Sequence, residues 1–523
     1  MTSLLCEQQH RVAGRRGADR RLRRVCQPPE DVEAQAKVVD VLPVVENDEP
    51  RTTGPTSGSG GAPHGFQDLA PDGVHSCQDG ASYALNSQGA GTLQARTAEG
   101  AVLPGRGCDL AAVASFRVKV TAEAARRFLV ARQFLAPARS LQGGPDAVVE
   151  VFGKLGSIQF DPLAVAGRSH DLVLHARVGG YDPDWCDALY ERREIFEAYN
   201  KGLSLIPASE FPWFRARLGR YGPAVLAENA EVATRVLERI RGQGPLSSLD
   251  FERERGPTTD WFGMRMNAVR AVLEAYSLTG VLGLARRDGN RRYYDLIERL
   301  LPAEVLAQDI PVIEQIRHRL LSRYRAHGLL GVSGPDIFGG LGAAKPDPRW
   351  PQSPGRTALR AQLIERGELI PVEVDGVAGT RFVLPEDVEL LHGPPEPPPS
   401  VAFLPPFDPL VWDRPLLGSL FGFDYVWELF LPPAKRRWGW YVLPILFRDR
   451  FIGRIEPRID RDRARVEVLG LWWDDGFAPR AATGFVDAMR HALGAYLRFA
   501  GASRLDWAPH LAADKQLFPE LTG

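Results

Sequence analysis

Lysine and cysteine are scarce in this chain of 523 residues, and long apolar runs are missing altogether. Each shortage excludes something. No stretch approaches the roughly 18 uninterrupted apolar residues that cross a bilayer, so a channel or transporter is ruled out and no membrane partner is expected. The cysteines, Cys6, Cys26, Cys77, Cys108 and Cys186, include no C-x-x-C pair, which supports neither a zinc cluster nor a disulfide framework. Met1 to Cys6 run straight into Glu7, Gln8 and Gln9 and then arginines, without the apolar core of a secretion signal, and a cytoplasmic location is expected. Nucleophile-elbow, phosphate-loop, H-E-x-x-H and metal-spaced carboxylate patterns are lacking too, which removes several enzyme classes.

The composition that remains is globular, with 44% hydrophobic and 25% charged residues and a net charge of −1. At this length at least two domains are expected, because single cores stop growing near roughly 250 to 300 residues. Only seven of the 64 basic residues are lysine. Arginine's planar fork suits phosphate, and a GC-rich coding bias produces the same excess. Residues 1–114 hold none of the eleven tryptophans and only two aromatics, Phe66 and Tyr83, with Gly, Ser, Pro and Thr crowded between Thr52 and Gly65. Such a segment buries too little apolar surface to offset chain entropy, so it reads as a disordered tail or an extension from an early start codon. Its basic run, Arg11 to Arg24, reads as solvated and is assigned no function.

Order is expected from Phe116 onward. Thr121 ahead of Ala122-Glu123-Ala124 gives a helix start, and Pro137 closes that stretch. Helices are expected over Ala147–Leu155, over Leu163–Val178 as one long element, and from Pro183 through Leu189. Two later segments share one plan. A helix ending near Arg241, a turn, a helix from Asn267 to Leu278 and then Leu282–Tyr294 around Asp288-Gly289 give the order of a winged helix, because Asp-Gly between strand-like runs is a strong hairpin signal. The plan recurs at Ile313–His327, Pro335–Phe338, Thr357–Arg366 and the paired runs Leu369–Val374 and Arg381–Leu384. Beyond the stiff linker Gly393–Pro399 lie the strand-rich runs Trp440–Leu443, Arg450–Ile455 and Arg465–Gly470, with a closing helix from Ala481 to Phe499. The reading is α+β, with tandem winged helices and a C-terminal β-rich domain. Its divisions are 115–225 (helical or winged-helix), 226–305 and 306–392 (winged helices), 393–400 (linker) and 401–523 (β-rich).

Chemistry points to Gln159-Phe160-Asp161. On an extended strand, Gln159 and Asp161 project to one side while Phe160 turns inward, so an amide and a carboxylate face one pocket. Asp161 followed by Pro162 also fits a plain helix N-cap, and one residue can serve both ways. Arg168 and His170 follow at a spacing that one helix would bring towards the same face, though a buried, hydrogen-bonded His170 is the more ordinary outcome. Arg286, Arg287, Arg291 and Arg292 flank the hairpin turn, after a helix region carrying Arg265 and Arg270. They suit phosphate contacts, and a hairpin that merely keeps its edges charged is the plain alternative.

These segments carry a resemblance. Leu155–Asp161, Arg168-Ser169-His170, Tyr181-Asp182-Pro183, Arg193–Glu197, Phe403–Arg414 and Leu420–Tyr425 together resemble the AlkZ/YcaQ family of winged-helix DNA glycosylases, in the Gln-apolar-Asp branch. The resemblance runs from Phe116 to the C-terminus. It implies catalysis by Gln159 and Asp161 without metal or cofactor, double-stranded DNA carrying alkylated bases or crosslinks as partner, and release of N7-alkylated purines, with unhooking of interstrand crosslinks. N7 alkylation makes the base a cationic leaving group, so one carboxylate suffices. One departure stands out: after Phe196-Glu197 the family pattern is of Trp-Ser-His type, whereas this chain reads Ala198-Tyr199-Asn200-Lys201-Gly202. Lys201 is expected to contact DNA rather than act as a lyase. A monofunctional, monomeric glycosylase is the expectation. A non-enzymatic winged-helix DNA-binding protein or transcriptional regulator is the alternative, and a carboxylate aimed at DNA separates the two.

Overall fold

The computed structural model describes residues 117–215, 222–251, 267–341, 345–346 and 354–519. All fall within one of the chain's two structural units. The expectations placed on residues 1–114 and on Arg265 lie outside the described residues.

The principal helices are α1 (Ala122–Arg132), α2 (Pro145–Leu155), α3 (Ser169–His175), α4 (Pro183–Glu191), α5 (Ala230–Gln243), α6 (Ala268–Thr279), α7 (Val312–His327), α8 (Arg356–Glu365), α9 (Arg414–Phe421) and α10 (Phe485–Ala500). Their ends are chemical. Thr121 accepts from the Ala124 amide at 3.1 Å and so starts α1, and Asn267 does the same for α6 through Val269 at 3.0 Å. Gly156, with φ of 71°, ends α2 in the left-handed conformation that only glycine adopts without strain.

The strands are β1 (Val118–Val120), β2 (Ile158–Gln159), β3 (Ile195–Asn200), β4 (Gly202–Pro207), β5 (Leu246–Ser247), β6 (Leu282–Asp288), β7 (Arg291–Leu296), β8 (Ile370–Val374), β9 (Arg381–Val383), β10 (Val401–Phe403), β11 (Leu443–Phe447), β12 (Arg450–Asp460), β13 (Arg465–Trp473) and β14 (Arg504–Trp507). Among the described residues they form four sheets, ordered β2-β4-β3, β5-β7-β6, β1-β8-β9 and β10-β11-β12-β13-β14. The architecture is α+β. In the five-stranded sheet every residue of β11 is buried, and its near-continuous apolar sequence, Leu443-Pro444-Ile445-Leu446-Phe447, reflects a strand covered on both faces. Helix α10 lays Phe485, Met489, Leu493, Tyr496 and Leu497 onto this core, a stripe at helical spacing.

Several expectations need correcting. The long helix over Leu163–Val178 is only α3, because residues 161–168 carry no helix and their backbone groups are bonded elsewhere. The Val165 carbonyl accepts from the Ile459 amide at 2.9 Å, and the Ala166 carbonyl from the Tyr496 hydroxyl at 2.5 Å. The segment is stitched to the C-terminal sheet and to α10, an arrangement that satisfies its carbonyls without a helix. The region read as mainly helical also contains the antiparallel β2-β4-β3 sheet, and β1 pairs in parallel with β8, from Val118 with Val372 to Val120 with Val374. The strand expected at Trp440 begins at Leu443, and the closing helix begins at Phe485 rather than Ala481. The β6–β7 hairpin turns on Gly289-Asn290, since Asp288 pairs with Arg291. No helix among the described residues is long and apolar enough to cross a membrane.

Candidate active site

The Gln159-Phe160-Asp161 segment leaves the edge of a sheet. Gln159 pairs with Ser204 of β4, and the Phe160 amide donates to the Leu203 carbonyl at 2.8 Å, carrying the pairing one residue past β2. Phe160 is 7% exposed and joins the core, while Gln159 and Asp161 on either side stay partly exposed. Alternation along extended backbone separates them in this way.

Asp161 caps its own turn: Oδ1 accepts from the Leu163 amide at 2.8 Å. The expectation of a helix N-cap is thus corrected: no helix follows Asp161, and its side chain closes a local turn instead. Burial pushes the Asp161 carboxyl up from 3.8 to about 6, and the Leu163 hydrogen bond opposes part of that rise. At neutral pH the group is still ionised, yet it is a far better proton acceptor than an ordinary aspartate.

Gln159 is held from the opposite side. Lys201, at the β3–β4 turn, brings Nζ to 3.5 Å from Gln159 Oε1 and places it 5.0 Å from the Trp412 ring centre and 6.0 Å from that of Phe407. Gly202, with φ of +72°, is the neighbour that admits the amide, since a Cβ there would lie 2.8 Å from Gln159 Nε2. Asn200 is buried and fixed: its Nδ2 donates to Ser157 Oγ at 3.1 Å, and its Oδ1 accepts from Arg323. Lys201 and Gly202 thus border the Gln159 amide, while Asn200 fixes the strand end beside them.

The other expected contacts fall into two groups. Arg168 is committed to carboxylates, with Nε 2.5 Å from Asp171 Oδ2 and Nη1 3.0 and 3.1 Å from the Asp187 oxygens. It does not share a helix with Asp161, contrary to the expected spacing, because the helix begins only at Ser169. His170 is 2% exposed and stacks on Phe160 with ring centres 5.3 Å apart. Burial first, then the nearby Arg168 and Arg287 cations, hold it well below its usual titration range, so it is a neutral imidazole. Arg287 turns inward as well. Its guanidinium makes a two-bonded ion pair with Glu197 at 2.6 and 2.6 Å, with side chains 4% and 5% exposed, and lies 3.8 Å from the Phe160 ring centre. Arg287, buried and paired, and His170, buried and neutral, are thus turned away from solvent rather than presented for the phosphate contact expected of them.

The hairpin's outer face differs. Arg286 is exposed, with its guanidinium 3.6 Å from the Tyr293 ring centre, and Arg291 donates to the Tyr293 hydroxyl at 3.4 Å. Arg292 is not part of that face: it stands opposite Arg287 in the ladder, on the inner side, and is paired with Glu274 at 2.5 Å. Sequence reasoning missed the parts played by Glu197, Asn290 and Gly202, and it placed Phe160 inward as observed. The signal for Phe160 was its place as the apolar residue between two polar ones in a strand; the other three had none.

A family model for AlkZ-like DNA glycosylases matches residues 152–499, about two thirds of the chain and all of the site just described. The chain belongs to the AlkZ-like DNA glycosylase family. Among solved structures it is similar to the Streptomyces sahachiroi DNA glycosylase AlkZ, at 19% identity and a TM-score of 0.46, with 75% of this chain and 100% of that chain covered. Within an AlkZ-like glycosylase the substrate is DNA and the bond to be broken is N-glycosidic. An ionised carboxylate beside a fixed amide is a chemically sufficient pair for that reaction when the base departs easily. Among the described residues no group of three or more His, Cys, Asp and Glu side chains is placed to hold a metal ion together.

Proposed function

We propose that this protein is a monofunctional DNA glycosylase that hydrolyses the N-glycosidic bond of N7-alkylated purines in duplex DNA and unhooks interstrand crosslinks formed through the same position. The observation that carries the reading is Asp161, a partly exposed carboxylate raised to about 6 and set two positions from Gln159. Alkylation at N7 gives the purine a positive charge. Its departure returns electrons to the ring and leaves an oxocarbenium-like sugar, so no general acid is required. Asp161 stabilises that cation and takes the proton of the attacking water, while Gln159 orients the water or the sugar. Two carboxylates, as in sugar hydrolases, are not needed.

The helix and hairpin units of 226–305 and 306–392 serve, in this reading, as winged helices, with 401–523 as the β-rich module behind them. Arg286 and Arg291 take phosphates along the hairpin, and Lys201 takes one beside Gln159. Arg168, His170 and Arg287 support the segment from within. The non-enzymatic regulator is disfavoured, because a carboxylate facing DNA repels phosphate and has no use in a passive binder.

The test is release of N7-methylguanine from duplex DNA by wild type, Asp161→Asn and Gln159→Ala. Loss of at least about 100-fold in rate for Asp161→Asn supports the assignment. Unchanged release by both variants removes it.

A further inference from the structure

The β6–β7 hairpin holds the catalytic segment on both sides of Asp161. Upstream, the Arg287 guanidinium covers one face of Phe160 at 3.8 Å while His170 stacks on the ring at 5.3 Å. Downstream, Asn290 at the hairpin turn donates from Nδ2 to the Pro162 carbonyl at 3.2 Å. The residues before and after the carboxylate are thus fixed by two residues of one hairpin. Arg287 is itself fixed: both Glu197 oxygens accept from it at 2.6 Å, and Glu197 Oε1 also accepts from the Tyr190 hydroxyl at 2.5 Å. Glu197 lies on β3, the strand that runs into Lys201 and the Gln159 pocket.

Nothing in this arrangement serves the hairpin alone. A wing needs only outward cations, yet Arg287 is buried on the motif's apolar residue and Asn290 reaches away from solvent to a backbone carbonyl. We infer that Arg287 and Asn290 are positioning residues that set Asp161 in place, so that seating the hairpin on DNA and aligning the carboxylate are one event. The inference rests on the catalytic reading of Asp161. It makes the hairpin a coupling element: its outer residues meet the backbone, and its inner residues govern the rate of base release.

The test uses the full chain with Asn290→Ala, a change at a partly exposed turn that leaves the core intact, and Arg287→Lys, which keeps the charge and loses the fork and the stacking plane. Each is assayed for single-turnover release of N7-methylguanine from duplex DNA across pH, and for affinity to undamaged duplex across salt. Asn290→Ala is expected to slow release about tenfold and Arg287→Lys about 10- to 100-fold, as loss of reacting geometry does. Affinity and its salt slope should stay within about twofold of wild type. The acid limb of the rate profile should move down from about 6 as Asp161 gains solvent, a shift that a general loss of stability does not produce. Weakened binding with a flatter salt slope and an unchanged rate would make both residues phosphate contacts and overturn the inference. So would rates within about twofold of wild type. Asp161→Asn is run in parallel: if it retains the wild-type rate, the reading of Asp161 fails whatever the hairpin variants do.

Discussion

Arg177 and Asp408, both fully buried, meet in a two-bonded ion pair at 2.7 and 3.0 Å, and Arg177 also donates to Gln133 Oε1 at 3.0 Å. This joins the end of α3 to the loop before α9. The neighbours of Asp408 in that loop, Phe407 and Trp412, lie beneath the Lys201 ammonium beside Gln159. The charge pair therefore anchors the loop that carries Phe407 and Trp412. Asp408→Ala leaves a buried guanidinium without its partner and is expected to cost about 3–5 kcal/mol, read as a lowered denaturant midpoint. An unchanged midpoint would show that solvent reaches the pair.

The carboxylate to which we assign the chemistry is held against its own preference. With a folded value of about 6 against 3.8 in solution, Asp161 binds its proton more tightly in the native state. Its contribution to stability is present below about 3.8 and is lost as pH rises through about 6. Asp161→Asn removes the buried charge and keeps an oxygen for the Leu163 amide. That variant should be more stable than wild type at pH 7 by about 1–3 kcal/mol, and no more stable below pH 4. Equal unfolding curves at both pH values would mean that the side chain is solvated.

Gly202→Ala tests the support of Gln159. A methyl group 2.8 Å from the amide nitrogen must displace it, and φ of +72° disfavours alanine besides. Base release should slow by at least about tenfold, with duplex affinity retained. A wild-type rate would show that the amide moves without consequence.

Arg286→Ala and Arg291→Ala should weaken binding to damaged and undamaged duplex alike, each lowering the salt slope by about 0.9. The rate at saturating enzyme should be unchanged. Loss confined to damaged DNA would place these residues at the lesion instead.

Lys201 is engaged as a cation on two rings, so no Schiff base with the sugar is expected. Borohydride added during turnover should trap no protein–DNA adduct. A trapped adduct lost in Lys201→Met would establish a lyase step.

Much of this was legible in the sequence where local chemistry decides the structure. Thr121 starts a helix as capping rules require, and the alternation of Gln159, Phe160 and Asp161 separates polar from buried side chains. Tertiary partners erased other signals. Residues 163–168 carry helix-forming residues, yet their carbonyls are bonded by Ile459 and Tyr496, about 300 positions away. The four hairpin arginines look alike in sequence, because nothing local shows that Glu197 draws Arg287 inward while Arg286 stays out. The pairing of β1 with β8 likewise depends on residues that meet only after folding.

The most direct measurement is the single-turnover rate of N7-methylguanine release from duplex DNA between pH 5 and 8, for wild type and Asp161→Asn. The account predicts a wild-type rate that falls below pH about 6, as the carboxylate takes up its proton, and a residual Asp161→Asn rate that is low and lacks that limb. A wild-type profile flat through pH 6, or an Asp161→Asn enzyme with the same rate and the same limb, would contradict it.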